Sequence, residues 1–263
     1  MPELPDVEVY RQRLQNAARG RTLQGARVYD GQVLAGTSAR ALDRALRGAR
    51  VAGTRRHGKA LYAVMHRAPH LRLHFGMTGD LVLAGADDQD PGHTRVAFLL
   101  PAGRRLLFVD QRKLGEVGLV DDVDDDVAQH DLGPDVLDLD AAALAALLRG
   151  SGAGLKALLT DQQQVAGLGN IYTDEVLFQA RLDPRAPAAA LSDAGVGRLF
   201  RQTHRVLERA VRADADPAAM PRGWLLHHRE DSASCPRGNG EIRSFSVGGR
   251  RGYWCPACQE GGT

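Results

Sequence analysis

Residues 162–178 read QQQVAGLGNIYTDEVLF, and this stretch decides the architecture of the second half of the chain. LKALLTDQQQV before the AGLGN turn and IYTDEVLFQARL after it carry apolar residues at helical spacing, which predicts two helices joined by a glycine-rich turn. Asp183-Pro184 ends the second helix, because proline lacks the N–H and the room to continue one. Gly167-Leu-Gly169 resembles the start of a dinucleotide loop. That reading fails: Tyr172 holds the third glycine position, and a helix rather than a strand leads in. On the N-terminal side AAALAALLRG (141–150) predicts another helix ending at a glycine, and an amphipathic helix is predicted over 192–213. Residues 140–213 are therefore expected to be helical.

Further upstream the text changes. Val7, Tyr10, Leu14 and Ala17 or Ala18 recur at helical spacing after Pro5 and Asp6, predicting one N-terminal helix. From about 23 to 120 short runs follow: LYAVM, LRLHF, DLVLAG, RVAFLL, RLLFVD and EVGLV. Gly, Asp and Pro punctuate them, as in an antiparallel sandwich or barrel. GADDQDPGH (85–93) reads as an exposed loop. The last forty residues are polar and Gly-rich, with too little apolar surface to fold unless something staples them. The expected organisation is α+β, with segments 1–135, 136–225 and 226–263.

Composition excludes several classes. The chain has 263 residues, 43% hydrophobic and 25% charged, which is a globular balance and not that of a disordered tail. It has no apolar run near the roughly 20 residues of a membrane span, and MPELPDVEVY lacks the basic-then-apolar pattern expected of a signal sequence. A soluble cytoplasmic protein is expected, associated with the nucleoid if bacterial. Residues 1–60 carry twelve Arg/Lys against five Asp/Glu, whereas 121–140 hold nine Asp and no Lys or Arg. A basic segment beside acidic solvated loops suits a polyanionic ligand. Only three lysines, Lys59, Lys113 and Lys156, stand among 31 arginines. A lysine retained in so Arg-rich a chain points to a need for a compact ammonium whose pKa can shift, against the plain alternative of three surface lysines.

All three cysteines lie after residue 234, so this is no disulfide scaffold. Cys255-Pro-Ala-Cys258 can present two thiolates to one metal, and Cys235 lies 20 residues earlier across a hairpin pattern. That is the plan of a zinc ribbon, with one knuckle broken where Gly238 follows Cys235-Pro-Arg. His227 or His228 could supply an imidazole, and a single structural Zn²⁺ on Cys235, Cys255, Cys258 and His228 is the expectation. A metal-free hairpin and a reactive CxxC pair are the alternatives.

Five strings now stand in order: MPELPDVE at 1–8, HFGMTG at 74–79, DQRKLG at 110–115, QQQVAGLGNIYTDEVLF at 162–178, and the terminal hairpin with CPACQ. Together they resemble the formamidopyrimidine-DNA glycosylase / endonuclease VIII family of base-excision repair enzymes, over essentially the whole chain. The resemblance implies an N-terminal β-sandwich with a helix, a helix–two-turn–helix domain and a zinc-ribbon-like hairpin. It implies a monomer acting on double-stranded DNA with damaged bases or abasic sites, as a glycosylase and abasic-site lyase.

The resemblance also implies roles residue by residue. Pro2, after loss of Met1, would be the nucleophile through its secondary amine, with Glu3 as proton donor. Lys59 would contact the DNA backbone and serve β-elimination. Arg250, with Arg251 beside it, would clamp the lesion's phosphates. Met77, Arg112 and Leu114 would fill the gap left by a flipped nucleotide. Asn170 would grip phosphate, Lys156 would lie near the lesion pocket, and His93 would be a further phosphate contact. The duller readings are a frayed terminus for Pro2-Glu3, core packing for Met77 and Leu114, and a plain helix cap for Asn170.

This chain departs from the family's pattern at several points. Members often carry Phe where Leu114 stands and Glu where Asp6 stands. Only ADADPAAMPRGWLLHHREDSAS separates the long helix from Cys235, shorter than in members that recognise 8-oxoguanine. Formamidopyrimidines or oxidised pyrimidines therefore stay open as substrates. Two competing classes are a catalytically silent damage-binding protein of the same fold and a zinc-ribbon protein binding RNA or protein.

Overall fold

The computed structural model describes residues 1–259, so the last four residues of the expected 226–263 segment lie outside it. Two compact units emerge: residues 1–2 with 6–131, and residues 3–5 with 132 onward. No helix among the described residues is long and apolar enough to cross a membrane.

Helix α1 (Leu4–Ala18) belongs to the first unit from Asp6 onward; its first turn holds Pro5, where a missing N–H is harmless, and Asp6 at the positive end of the helix dipole. Then come β1 (Gly25–Val28), β2 (Leu34–Ala35), α2 (Ala39–Leu46), β3 (Val51–His57), β4 (Ala60–Met65), β5 (His70–His74), β6 (Gly79–Ala84), β7 (Thr94–Leu99), β8 (Arg105–Asp110), β9 (Glu116–Val120) and α3 (Val123–Gln129). They build two sheets, one ordered β1-β7-β8-β6 and the other β2-β9-β5-β4-β3. Every pairing is antiparallel except the short β2–β9 contact. Leu61, Leu73 and Val117 of one sheet share a core with Leu81, Phe98 and Leu106 of the other, joined by Val7, Tyr10 and Leu14 of α1. That shared core makes the unit a β-sandwich.

Strand alternation produces it. Along β4, Leu61, Ala63 and Met65 point to the central core, while Ala60 and Tyr62 join Val123 of α3 on the opposite face. Seven of the nine aspartates in 121–140 are exposed, as the composition suggests, but Asp126 and Asp135 are buried. Asp122 caps α3 by accepting the N–H groups of Asp124 and Asp125. Asp126 is buried, accepting from Tyr62 Oη at 2.7 Å and Arg72 Nε at 2.9 Å. A carboxylate with two such donors is stable in the interior where an unpaired one is not.

The second unit contains α4 (Ala141–Arg149), α5 (Leu155–Thr160), α6 (Asn170–Ala180), α7 (Asp193–Arg212) and a hairpin of β10 (Arg243–Val247) and β11 (Arg250–Trp254). Ser192 caps α7 by accepting Gly195 N–H, and the apolar stripe Val196, Leu199, Val206, Leu207 and Ala210 joins the core. Helix α6 is the central element, buried at every position from Tyr172 to Phe178. The hairpin register sets Val247 opposite Arg250, leaving Gly248 and Gly249, both at positive φ, as its two-residue turn.

Phe98 is fully buried between the two sheets. Replacing it with alanine is expected to cost about 3–5 kcal/mol, read as a lowered midpoint in urea unfolding with unchanged slope.

Candidate active site

Glu3 is 1% exposed, and its carboxylate sits on the first turn of α6. Gly169 N–H and Tyr172 N–H donate to Oε2 at 2.9 and 3.1 Å, and Ile171 N–H donates to Oε1 at 2.8 Å. A helix N-terminus has unpaired N–H groups and a positive dipole end, so an anion is its natural partner. The glycines of AGLGN allow the approach. A Cβ on Gly169 would lie 2.4 Å from Glu3 Cδ, and one on Gly167, at φ +117°, would lie 2.6 Å from Leu4 Cδ1. Leu4 N–H also donates to Gly167 O at 3.2 Å. Gln162 ties the turn: its side chain accepts from Gly167 N–H at 3.0 Å and donates to the carbonyls of Leu168 and Thr160.

One turn further along α6, buried Asp174 binds three donors from three directions. Lys156 of α5 and Arg229 pair with its two oxygens, and Tyr253 N–H of β11 donates to Oδ2 at 2.9 Å. Burial pushes Asp174 up and Lys156 down from their ordinary values, each opposed by the attraction of its partners. Lys156 is 1% exposed, and its ammonium lies against Gly252, where a Cβ would come within 2.7 Å of it. It also sits 5.4 Å from the centre of the Phe245 ring. Asn170 Nδ2 donates to Arg251 O at 3.0 Å, and Gln259 Nε2 donates to Leu182 O at 2.9 Å. The hairpin is thus tied to the helices at several points, and Arg250 stands exposed at its turn.

Glu175, next to Asp174, has no cation paired with it among the described residues. It accepts Leu226 N–H at 2.9 Å and Gln179 Nε2 at 2.7 Å. Burial pushes it up to about 7.

In the first unit DQRKLG and HFGMTG are two loops held face to face. Asp110, fully buried, accepts from Thr78 Oγ1 at 2.5 Å and Arg112 N–H at 3.2 Å on one oxygen, and from Gly115 N–H at 2.8 Å on the other. Gly76 lets the backbones touch, since a Cβ there would lie 2.4 Å from Leu114 O. The result is a rigid ledge on which Met77 and Leu114 are 42% and 47% exposed, with Arg112 exposed beside them. His93 adjoins it through its carbonyl, which accepts Asp110 N–H at 3.0 Å. Lys113 turns away to Asp30, at 2.7 Å. Lys59 occupies, with Gly58, the two-residue turn between β3 and β4, and is partly buried, as is Pro2. Burial, then the positive charge of Arg72, pulls His74 down.

Cys235, Cys255 and Cys258 are all buried, and their sulfurs lie within 4.8 Å of one another, with 3.5 Å between Cys235 and Cys258. Zinc–thiolate bonds of about 2.3 Å give a tetrahedron with edges of about 3.8 Å, so the three sulfurs fit one ion. His228 stands apart from this cluster, its Nε2 being 3.2 Å from Arg222 O. Burial, with the hydrogen bonds its thiol donates to Cys235 and Cys258, pushes Cys255 up to about 12. A cation is what would let all three ionise together.

Residues 1–117 match the family described as formamidopyrimidine-DNA glycosylase N-terminal domain, and 132–220 match the formamidopyrimidine-DNA glycosylase H2TH domain. A formamidopyrimidine-DNA glycosylase of Moorella thermoacetica is 38% identical, the match covering 98% of this chain and 92% of that one. The chain belongs to the formamidopyrimidine-DNA glycosylase family. A formamidopyrimidine-DNA glycosylase of Thermus thermophilus is 36% identical, with 98% of each chain covered. Among solved structures, the Lactococcus lactis glycosylase bound non-covalently to DNA containing an abasic site superposes with a TM-score of 0.86 at 27% identity. That match covers 98% of this chain and all of the other. DNA glycosylase activity follows for this chain from relatives covered over 92% and 98% of their length.

Among the residues anticipated for this glycosylase, Met77, Arg112, Leu114 and His93 come together on the ledge of the first unit. Lys156 and Asn170 instead tie α5, α6 and the hairpin together, Lys156 buried on Asp174 and Asn170 donating to Arg251 O, while Arg250 is exposed at the hairpin turn. Three residues that organise these places were not anticipated: Asp110, Asp174 and Gln162. The signal for Asp110 was the strand-ending Asp of DQRKLG. For Asp174 it was an acid on a helix with no polar face.

Glu175 gives a pH test with a definite sign. Between 4.5 and about 7 the unfolded chain ionises this group while the folded chain keeps it protonated, so its contribution to stability falls as pH rises through that window and is level above it. Glu175→Gln is expected to be more stable than wild type at pH 8, relative to pH 4, by about 3 kcal/mol, read from urea midpoints at the two pH values.

Proposed function

We propose that this chain excises oxidised bases from duplex DNA through a Schiff base on Pro2 and then cleaves the strand at the abasic site by β- and δ-elimination. What carries the reading is Glu3, fixed by three N–H groups one peptide bond from Pro2, in a chain matched end to end by DNA glycosylases. With Met1 removed, Pro2 is a secondary amine, and an α-amine has a reference pKa of about 8, so a usable fraction is unprotonated at neutral pH.

The amine attacks C1′ of the damaged nucleotide and the bond from C1′ to the base breaks. Glu3 supplies the acid–base help that opening the sugar requires. The C1′–O4′ bond breaks as O4′ takes a proton from Glu3, and the resulting open-chain iminium acidifies the C2′ hydrogen. Removal of that proton expels the 3′ phosphate, and a second elimination expels the 5′ phosphate. Hydrolysis of the Schiff base then returns Pro2. Lys59 provides a cation at the backbone for the eliminations, and Arg250 holds the phosphates next to the lesion.

A flipped nucleotide leaves a gap in the stack, and Met77, Leu114 and Arg112 are the apolar and cationic wedge that fills it. Their exposure on a rigid ledge supports this, since large apolar groups on so well-tied a loop have no core to join. His93 and Asn170 contact the backbone, and Lys156 acts through the hairpin it supports. Zn²⁺, bound by Cys235, Cys255 and Cys258, supplies a structural cross-link in the hairpin that carries Arg250. The protein works as a monomer in the cytoplasm. Segment 1–135 carries the nucleophile and wedge, and 136–225 and 226–263 grip the backbone.

Borohydride reduction during reaction with duplexes carrying an abasic site, 8-oxoguanine, a formamidopyrimidine or an oxidised pyrimidine should give a stable protein–DNA adduct. Mass spectrometry should map it to Pro2. Absence of an adduct on every duplex, with Met1 shown to be removed, would overturn the lyase mechanism and favour a silent damage-binding protein.

A further inference from the structure

The two cysteine knuckles share one backbone hydrogen bond but differ at the fourth residue, where Gly238 is at positive φ and Cys258 is not. In each, Cys-Pro-Xaa turns so that the fourth residue's N–H donates to the first residue's carbonyl: Gly238 to Cys235 O at 2.8 Å, and Cys258 to Cys255 O at 3.1 Å. The fourth residue of one knuckle brings a buried thiol, Cys258, into the cluster. Its counterpart, Gly238, brings none. Gly238 has φ +73°, a Cβ built on it would meet no atom within 4 Å, and Gly238, Asn239 and Gly240 are all exposed. The place from which a fourth thiolate would come is therefore open to solvent.

No His, Asp or Glu among the described residues joins the three sulfurs, and His228 is engaged with Arg222 O. Asn239 is next to the gap in the set, and its Nδ2 is 3.5 Å from Cys258 Sγ. It thus offers the sulfur an N–H, which draws charge from a thiolate and tunes a bound metal as an outer partner. A closed structural zinc site has four protein ligands; three protein ligands leave a position for an exchangeable one.

We infer that this is a three-thiolate metal centre whose fourth coordination position takes a small exogenous donor, water or a low-molecular-weight thiol, beside Asn239. The inference rests on the hairpin holding a metal, and it makes that metal exchangeable and sensitive to small thiols.

Cobalt(II) titration of the full-length apoprotein, followed by thiolate-to-cobalt absorption, tests it. One cobalt per chain should bind with tetrahedral d–d bands. The per-cobalt charge-transfer intensity should be about three quarters of that in Gly238→Cys, the ratio of three thiolates to four. Added 2-mercaptoethanol should raise the wild-type intensity toward the four-thiolate value, and His228→Ala should leave the starting spectrum unchanged. The thiol titration and His228→Ala suffice if Gly238→Cys, strained at its positive φ, fails to fold. A spectrum indifferent to added thiol, or one altered by His228→Ala, would mean a protein side chain completes the site and would overturn the inference. Failure to bind cobalt at all would overturn the metal reading beneath it.

Discussion

Three backbone N–H groups in the first turn of α6 converge on one carboxylate, and that carboxylate belongs to the third residue of the chain. Chain termini fray unless something holds them. Ordering three residues costs roughly 3–6 kcal/mol of backbone entropy, and three hydrogen bonds to a charged acceptor return about 5–9 kcal/mol. The terminus is held with little to spare. Both partners depend on the absence of atoms elsewhere: a side chain at Gly169 would occupy the position of the Glu3 carboxylate, and one at Gly167 that of Leu4. The strings PELP and AGLGN, about 165 residues apart, are two halves of one contact.

A second carboxylate organises the next turn of the same helix. Asp174 pairs with both Lys156 and Arg229 and receives a strand N–H from Tyr253. Buried ion pairs add little net stability, because desolvation offsets attraction, but losing one partner leaves a costly buried charge. The network therefore acts as a registration device. It fixes where the hairpin meets α6 and so where Arg250 stands relative to the helix.

Periodicity carried much of the fold. Runs such as LYAVM and RLLFVD became β4 and β8, and two helices flank AGLGN as expected, although α5 ends at Thr160 and DQQQV is part of the turn. Polar strands were invisible to that rule: β3, VAGTRRH, is a strand because it pairs with β4 along its length rather than because its own side chains are buried. Part of the acidic run was misleading for the opposite reason, since Asp126 is stabilised inside by Arg72 and Tyr62, partners more than 50 residues away. In the site, the N-terminal motif, the loops bearing Met77 and Leu114 and the three cysteines were legible as strings. Lys156 was legible as an unusual lysine, but its burial was not, because nothing local announces Asp174 as its partner. Gly238 was legible as a break in a knuckle, and the intact turn around it was not.

The Glu3 carboxylate anchors the third residue of the chain to the first turn of α6. Amide hydrogen exchange at Gly169, Ile171 and Tyr172, measured in wild type and Glu3→Ala, tests this directly. Exchange is expected to be slow at all three in wild type and at least about tenfold faster in the variant, with Val176 in the same helix unchanged. Equal rates at the three amides in the two proteins would contradict the anchoring.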